Sequence, residues 1–129
     1  MEESWHEKLL RHNDMNTVVA KAQSIKISPR KVRLVADVIR SQTPAKALVT
    51  LQNVRQRAAY TLMKTLKSAM ANAQHNAKAD TANLIIKEIQ VTEGTAQKRF
   101  HPSSRGRVHP YKKRTSHITI TLAEKGAMK

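Results

Sequence analysis

Seven Lys/Arg and two His crowd the stretch from Lys98 to Arg114, KRFHPSSRGRVHPYKKR, and no carboxylate interrupts them. The chemistry open to such a run is phosphate neutralisation, since Lys and Arg carry fixed charge and the Arg fork matches phosphate oxygens bidentately. Like charges at this density repel one another and bury little apolar area, so the segment takes a fixed shape mainly against a polyanion. RNA is the partner this predicts.

Catalysis finds little support. There is no Gly-rich phosphate loop, no paired carboxylates and no metal-spaced His cluster. The chain has no cysteine, which removes thiol nucleophiles, thiolate metal sites and disulfides. Ser116 beside His117 is the one tempting nucleophile–base pair, but neighbours in a strand point to opposite faces and cannot hydrogen-bond. His101 and His109 flank the basic turn, where two ligands alone leave a metal's coordination unfilled, so stacking or phosphate contact is expected of them. The expectation is a non-enzyme with no metal and no cofactor.

The whole chain is basic: 24 Lys/Arg against 9 Asp/Glu give a formal +15 on 129 residues. Such a balance attracts phosphate backbones without regard to sequence. Residues 1–16 run against the trend, with Glu2, Glu3, Glu7 and Asp14 facing Lys8 and Arg11, and read as an acidic, disordered extension. The start lacks a basic-then-apolar leader pattern, and no apolar run is long enough to cross a bilayer. A cytoplasmic protein without membrane contact is expected.

One domain over 17–124 must position these charges, with 125–129 as a tail. Thr17 to Ile25, TVVAKAQSI, is β-branched and predicts a strand. Ser28–Pro29 and Thr43–Pro44 each place a capping residue before the proline tolerated at a first helical position. They predict helices from Pro29 to about Arg40 and from Pro44 through Leu51. Ala58, Ala59, Leu62, Met63, Leu66, Ala69, Met70 and Ala73 hold three–four spacing over about five turns and predict a third, long helix, its Met residues filling core. Leu84 to Val91 and Thr115 to Leu122 predict two further strands, the second alternating strictly.

If those strands pair with Ile89 opposite Ile118, the midpoint falls between Ser103 and Ser104, inside the turn-rich HPSSRG. Residues 94–114 then form a two-stranded arm beyond a body of 17–93 and 115–124, and the eleven steps from Thr92 to Ser103 reach roughly 36 Å at about 3.3 Å per residue. An isolated ribbon is marginal in water, so its stabilising partner comes from outside. Both of its faces are expected to meet phosphates, with Pro102 and Pro110 blunting the exposed edges.

The segments SPRKVRLVADVIR, SAMANAQHNAK, EGTAQKRFHPSSRGR and KRTSHITI closely resemble the bacterial-type members of the twenty-second large-subunit ribosomal protein family, from about Val18 to Glu124. The resemblance implies an α+β fold: three helices packed on a small antiparallel three-stranded sheet, with a long protruding β-hairpin. It implies a structural role on large-subunit rRNA beside neighbouring ribosomal proteins, support of subunit assembly, and a hairpin lining the peptide exit tunnel against the nascent peptide. The rRNA contacts expected are Lys26, Arg30, Lys31, Arg33, Lys98, Arg99, His101, Arg105, Arg107, Lys112, Lys113, Arg114 and His117. The tunnel-lining tip is Gln97, Lys98, Arg99, Phe100, His101, Pro102, Ser103, Ser104, Arg105, Gly106 and Arg107. The chain departs from the family pattern at Ser103, where a further basic residue is usual after the proline, and in the extension up to Asn16.

The alternative is an architectural DNA-binding protein whose ribbon enters a groove and wedges Phe100 or Pro102 between base steps. Such proteins depend on dimer symmetry, and the helices leave no long heptad seam to build a homo-oligomer. Dispersed aromatics at Trp5, Tyr60, Phe100 and Tyr111 also argue against base-stacking platforms.

Overall fold

The computed structural model describes residues 17–75 and 81–124. The acidic extension 1–16 and the tail 125–129 lie outside them. In chain order the elements are β1 (Thr17–Ile25), α1 (Pro29–Ile39), α2 (Pro44–Asn53), α3 (Arg57–His75), a short 3-10 turn (Thr81–Asn83), β2 (Leu84–Glu93), β3 (Gln97–Pro102), β4 (Val108–Lys113) and β5 (Ser116–Glu124). The fold is α+β, with a three-stranded antiparallel sheet in the order β1-β5-β2 and a separate β3-β4 ribbon.

Strict alternation in β5 explains its central place. Ser116, Ile118, Ile120 and Leu122 turn one face wholly into the core, while His117, Thr119 and Thr121 stay half-buried on the other. The helices cover the apolar face. α1 buries Val32, Val35, Ala36 and Ile39, and α3 buries Ala58, Ala59, Leu62, Leu66, Ala69 and Ala73. The alanines let α3 lie close across β1 and β5, with α1 and α2 packed against its flank. Met63 and Met70 pack only partly buried at the margin of the core rather than filling it. Both proline starts hold, with Ser28 and Thr43 extended at the cap positions, yet neither side chain makes a capping hydrogen bond.

The strand register differs from expectation by two residues: Ile89 lies opposite Ile120, and Val91 opposite Ile118. A slip of two keeps every side chain on its face, so the apolar pattern cannot tell the two pairings apart. The arm closes in a tight turn over Ser104–Gly106, with Arg105 and Gly106 at φ 62° and 68°, and Ser103 N–H donating to the Arg107 carbonyl at 2.8 Å. Two successive left-handed residues are needed, and Gly106 takes one without steric cost.

Every residue of β3 and β4 is exposed, so the arm adds nothing to the core. Deleting Lys98–Arg107 and closing the ribbon with a short turn should shift unfolding free energy by no more than about 0.5 kcal/mol. Circular dichroism and thermal melts of the free protein check this; a large drop would mean the arm braces the body.

Candidate nucleic-acid interface

The arm runs in register from Gln97 opposite Lys113 to Pro102 opposite Val108. Opposed residues share a face, which makes the ribbon two-sided. One side carries Gln97, Arg99, His101, His109, Tyr111 and Lys113. The other carries Lys98 and Lys112 at its foot, then Phe100, Pro102, Val108 and Pro110. Cations thus stand on both faces, but on the second they are confined to the Lys98–Lys112 pair, and beyond it that face is apolar. Phe100 is 66% exposed and Val108 55%.

On the polar side His101 stacks on Tyr111, ring centroids 4.1 Å apart and 15° from parallel. That offset pairing across the strands stiffens a ribbon without a layer beneath it. Arg99 folds back onto the Lys98 carbonyl and the Gln97 side chain, at 2.9 and 2.7 Å. Lys98 directly opposite Lys112 is a like-charge pair, unfavourable until an anion lies across it. Arg105 and Arg107 stand exposed at the tip. All the arm cations proposed from sequence are thus brought onto one slender element.

Where the arm leaves the body, the backbone is locked. Between Glu93 opposite Ser116 and Gln97 opposite Lys113, three residues on the outgoing chain face two on the return, a bulge that re-aims the ribbon. β1 bulges at the same level: Gln23 and Ser24 oppose His117, with Ser24 at φ 55°. The Ser24 N–H donates to His117 Nδ1 at 3.0 Å, and Thr115 Oγ1 donates to the Thr95 carbonyl at 2.7 Å. Gly94 sits between these groups and donates its N–H to the Thr115 carbonyl at 2.8 Å. A Cβ there would collide with Thr115 Oγ1 and stand 3.2 Å from the His117 ring.

Gly94→Ala should accordingly force Thr115 to abandon Thr95 and cost about 1–2 kcal/mol. Amide exchange at residues around 94 and 115, together with a melt, measures it; unchanged protection would show that the neck has slack.

The remaining sequence-derived residues divide. Lys26, Arg30 and Lys31 are exposed near the start of α1. Arg33 is exposed but tied to the sheet, its Nη2 and Nε donating to the Val91 carbonyl of β2 at 2.9 and 3.3 Å. His117 likewise serves the neck. Arg114 pairs loosely with Glu93 at 3.5 Å. Ser116 is fully buried and donates to the Ile27 carbonyl at 2.9 Å, on the face opposite His117, so no nucleophile–base pair forms. Sequence reasoning missed Gly94, Thr115 and Ser24, and also Arg57, which lines a cleft with Lys26, Lys31, Lys113 and Arg114. RQR at the start of α3 puts cations where the helix dipole favours acids, but only the tertiary approach of α3 brings Arg57 to the cleft.

Among the described residues no group of three metal-binding side chains occurs, and no helix is long and apolar enough to cross a membrane.

A family model described as Ribosomal protein L22p/L17e matches residues 20–123, spanning the body, the neck and the whole arm. The chain belongs to this family. It is a structural constituent of the large ribosomal subunit, and the family's role is structural rather than enzymatic. Similar proteins include the large ribosomal subunit protein uL22 of Lactobacillus gasseri, 43% identical over 111 residues that cover 86% of this chain and 95% of the relative. The uL22 of Oceanobacillus iheyensis is 46% identical over 106 residues, covering 82% and 94%. That of Metamycoplasma arthritidis is 45% identical over 108 residues, covering 84% of this chain but 51% of the relative. Membership in L22p/L17e favours the ribosomal reading over the architectural DNA-binding alternative.

Proposed function

We propose that this L22p/L17e chain binds large-subunit rRNA through its basic body and arm, supports assembly of the subunit, and extends the β3-β4 hairpin to line the peptide exit tunnel. The arm carries this reading: an exposed ribbon with Lys98, Arg99, Arg105, Arg107, Lys112 and Lys113 and no carboxylate, outside the core it springs from. A protein does not gain stability by building such an element alone; the compensating contacts come from phosphates that close around it.

In this reading Lys26, Arg30, Lys31 and Arg114 make body contacts with rRNA, while Arg33 and His117 set the positions of neighbouring elements and offer RNA only their remaining donors. The tip from Gln97 to Arg107 faces the tunnel and the nascent peptide. Neighbouring ribosomal proteins would meet the exposed apolar side chains Val38, Val49 and Tyr60 on the helical layer.

The test is sedimentation of a lysate through a sucrose gradient at moderate salt, with this protein and rRNA followed in each fraction. Stoichiometric, DNase-resistant co-migration with the large subunit is expected. Migration as free protein or with DNA would overturn the reading.

A further inference from the structure

We propose that the cleft between the starts of α1 and α3 and the foot of the arm seats the phosphodiester backbone of a single rRNA strand, and that this strand clamps the arm to the body. The proposal rests on the rRNA-binding reading above and goes beyond it by naming one site and what its occupation does.

The cleft encloses about 440 Å³. Five cations line it from separate parts of the chain: Lys26 from the loop after β1, Lys31 from α1, Arg57 from α3, and Lys113 and Arg114 from the foot of the arm. Among the described residues no carboxylate lines it, and neither α1 nor α3 has an acidic residue in its first turn. Glu93 is paired with Arg114 at 3.5 Å, and both side chains are more than half exposed, at 63% and 52%. Such a pair offsets little in water. In the free protein, then, the foot of the arm and the two helix starts repel each other across the cleft.

The ligand chemistry follows from the lining. The cations come from the body and from the foot of the arm, so one anion can meet charge from both parts. Gln56 and Ser28 add neutral polar groups, while Ile27, Leu34 and Ala58 supply an apolar floor. A phosphate attached to a ribose satisfies both, the sugar lying on the floor and the charged oxygens meeting the walls. A bare inorganic ion would use the walls alone. Because two of the five cations move with the arm and three with the body, one strand lying in the cleft turns repulsion between the two parts into attraction to a shared anion. The body's docking on rRNA thereby fixes the arm's direction before its tip is engaged.

The experiment uses the whole 129-residue chain, which has no cysteine of its own, with spin labels at Ser104→Cys on the tip and Lys46→Cys on α2. The tip-to-body distance distribution is recorded free, with protein-free large-subunit rRNA, and with inorganic phosphate at about the same phosphate concentration. In the parent chain rRNA should narrow the distribution at least about twofold and inorganic phosphate should not. In Lys31→Ala/Arg57→Ala, rRNA should still bind through the arm, with a log–log salt slope shallower by about 1 to 2, but the distribution should stay broad. The exposed α3 pair Lys64→Ala/Lys67→Ala should narrow as the parent does. Arg57→Gln alone, which removes one exposed charge and keeps a polar, helix-compatible side chain, repeats the test should the double variant lose helix content. Equal narrowing in parent and cleft variants would overturn the clamp while leaving rRNA binding intact. Narrowing by inorganic phosphate would also overturn it, showing a small-anion pocket. Failure of the parent chain to bind rRNA would overturn the underlying reading as well.

Discussion

Raising monovalent salt from about 50 to about 200 mM is expected to weaken binding of the isolated protein to large-subunit rRNA about a thousandfold. The arm carries six exposed cations from Lys98 to Lys113, and the body adds Lys26, Arg30 and Lys31. If about five to seven phosphates are neutralised, each releases condensed counterions and the log–log slope lies at roughly −4 to −6. A fourfold rise in salt raised to about the fifth power gives the thousandfold loss. Neutralising Lys98, Arg99, Arg105 and Arg107 with Gln should make the slope shallower by about 3 without altering helix content. Filter binding or fluorescence titration at four salt concentrations measures both; a slope near zero would mean that contacts other than phosphates carry the affinity.

Truncation in the core should produce a comparably large effect on a different quantity. Leu66 on α3 is fully buried in the cluster shared by the helices and β5. Leu66→Ala removes apolar contact and leaves a cavity that alanine-rich neighbours cannot collapse into, at a cost of about 3–4 kcal/mol. For a domain of this size the melting temperature should fall by more than about 10 °C. Leu34→Ala, on the exposed side of α1, should change stability by no more than about 0.5 kcal/mol. Urea melts of the two variants separate the outcomes. Equal effects would show that the packing of α3 is loose.

Most of the body is legible in the sequence because its signals are local. The Ser28–Pro29 and Thr43–Pro44 starts place two helices, the spacing from Ala58 to Ala73 places the third, and alternation from Ser116 to Leu122 marks the central strand. The arm's two-sidedness is not legible, for a specific reason. The body strands pair two residues away from the expected register, an even slip that preserves faces, but the neck then inserts one extra residue in the outgoing chain. That makes the arm's offset odd, which exchanges partners across the ribbon and puts Phe100 beside Pro110 and Pro102 beside Val108. A bulge leaves no mark in composition, so a charge count along the chain shows how basic the arm is and not which way its charges face. The candidate site suffers likewise: motif reading finds the cations of α1 and the arm, whereas the contribution of Arg57 needs the tertiary approach of α3 to the foot of the arm.

The neck also has a mechanical consequence. A rod held at one end magnifies any rotation at its fulcrum, and from Gly94 to Arg105 the arm spans about 36 Å at roughly 3.3 Å per residue. A tilt of only about 5° at Gly94 would sweep the tip sideways by about 3 Å over that length, as far as a whole hydrogen bond. The hydrogen bonds of Ser24, His117 and Thr115 therefore act as the pivot of a lever, and their tolerance sets how accurately Arg105 and Arg107 are aimed.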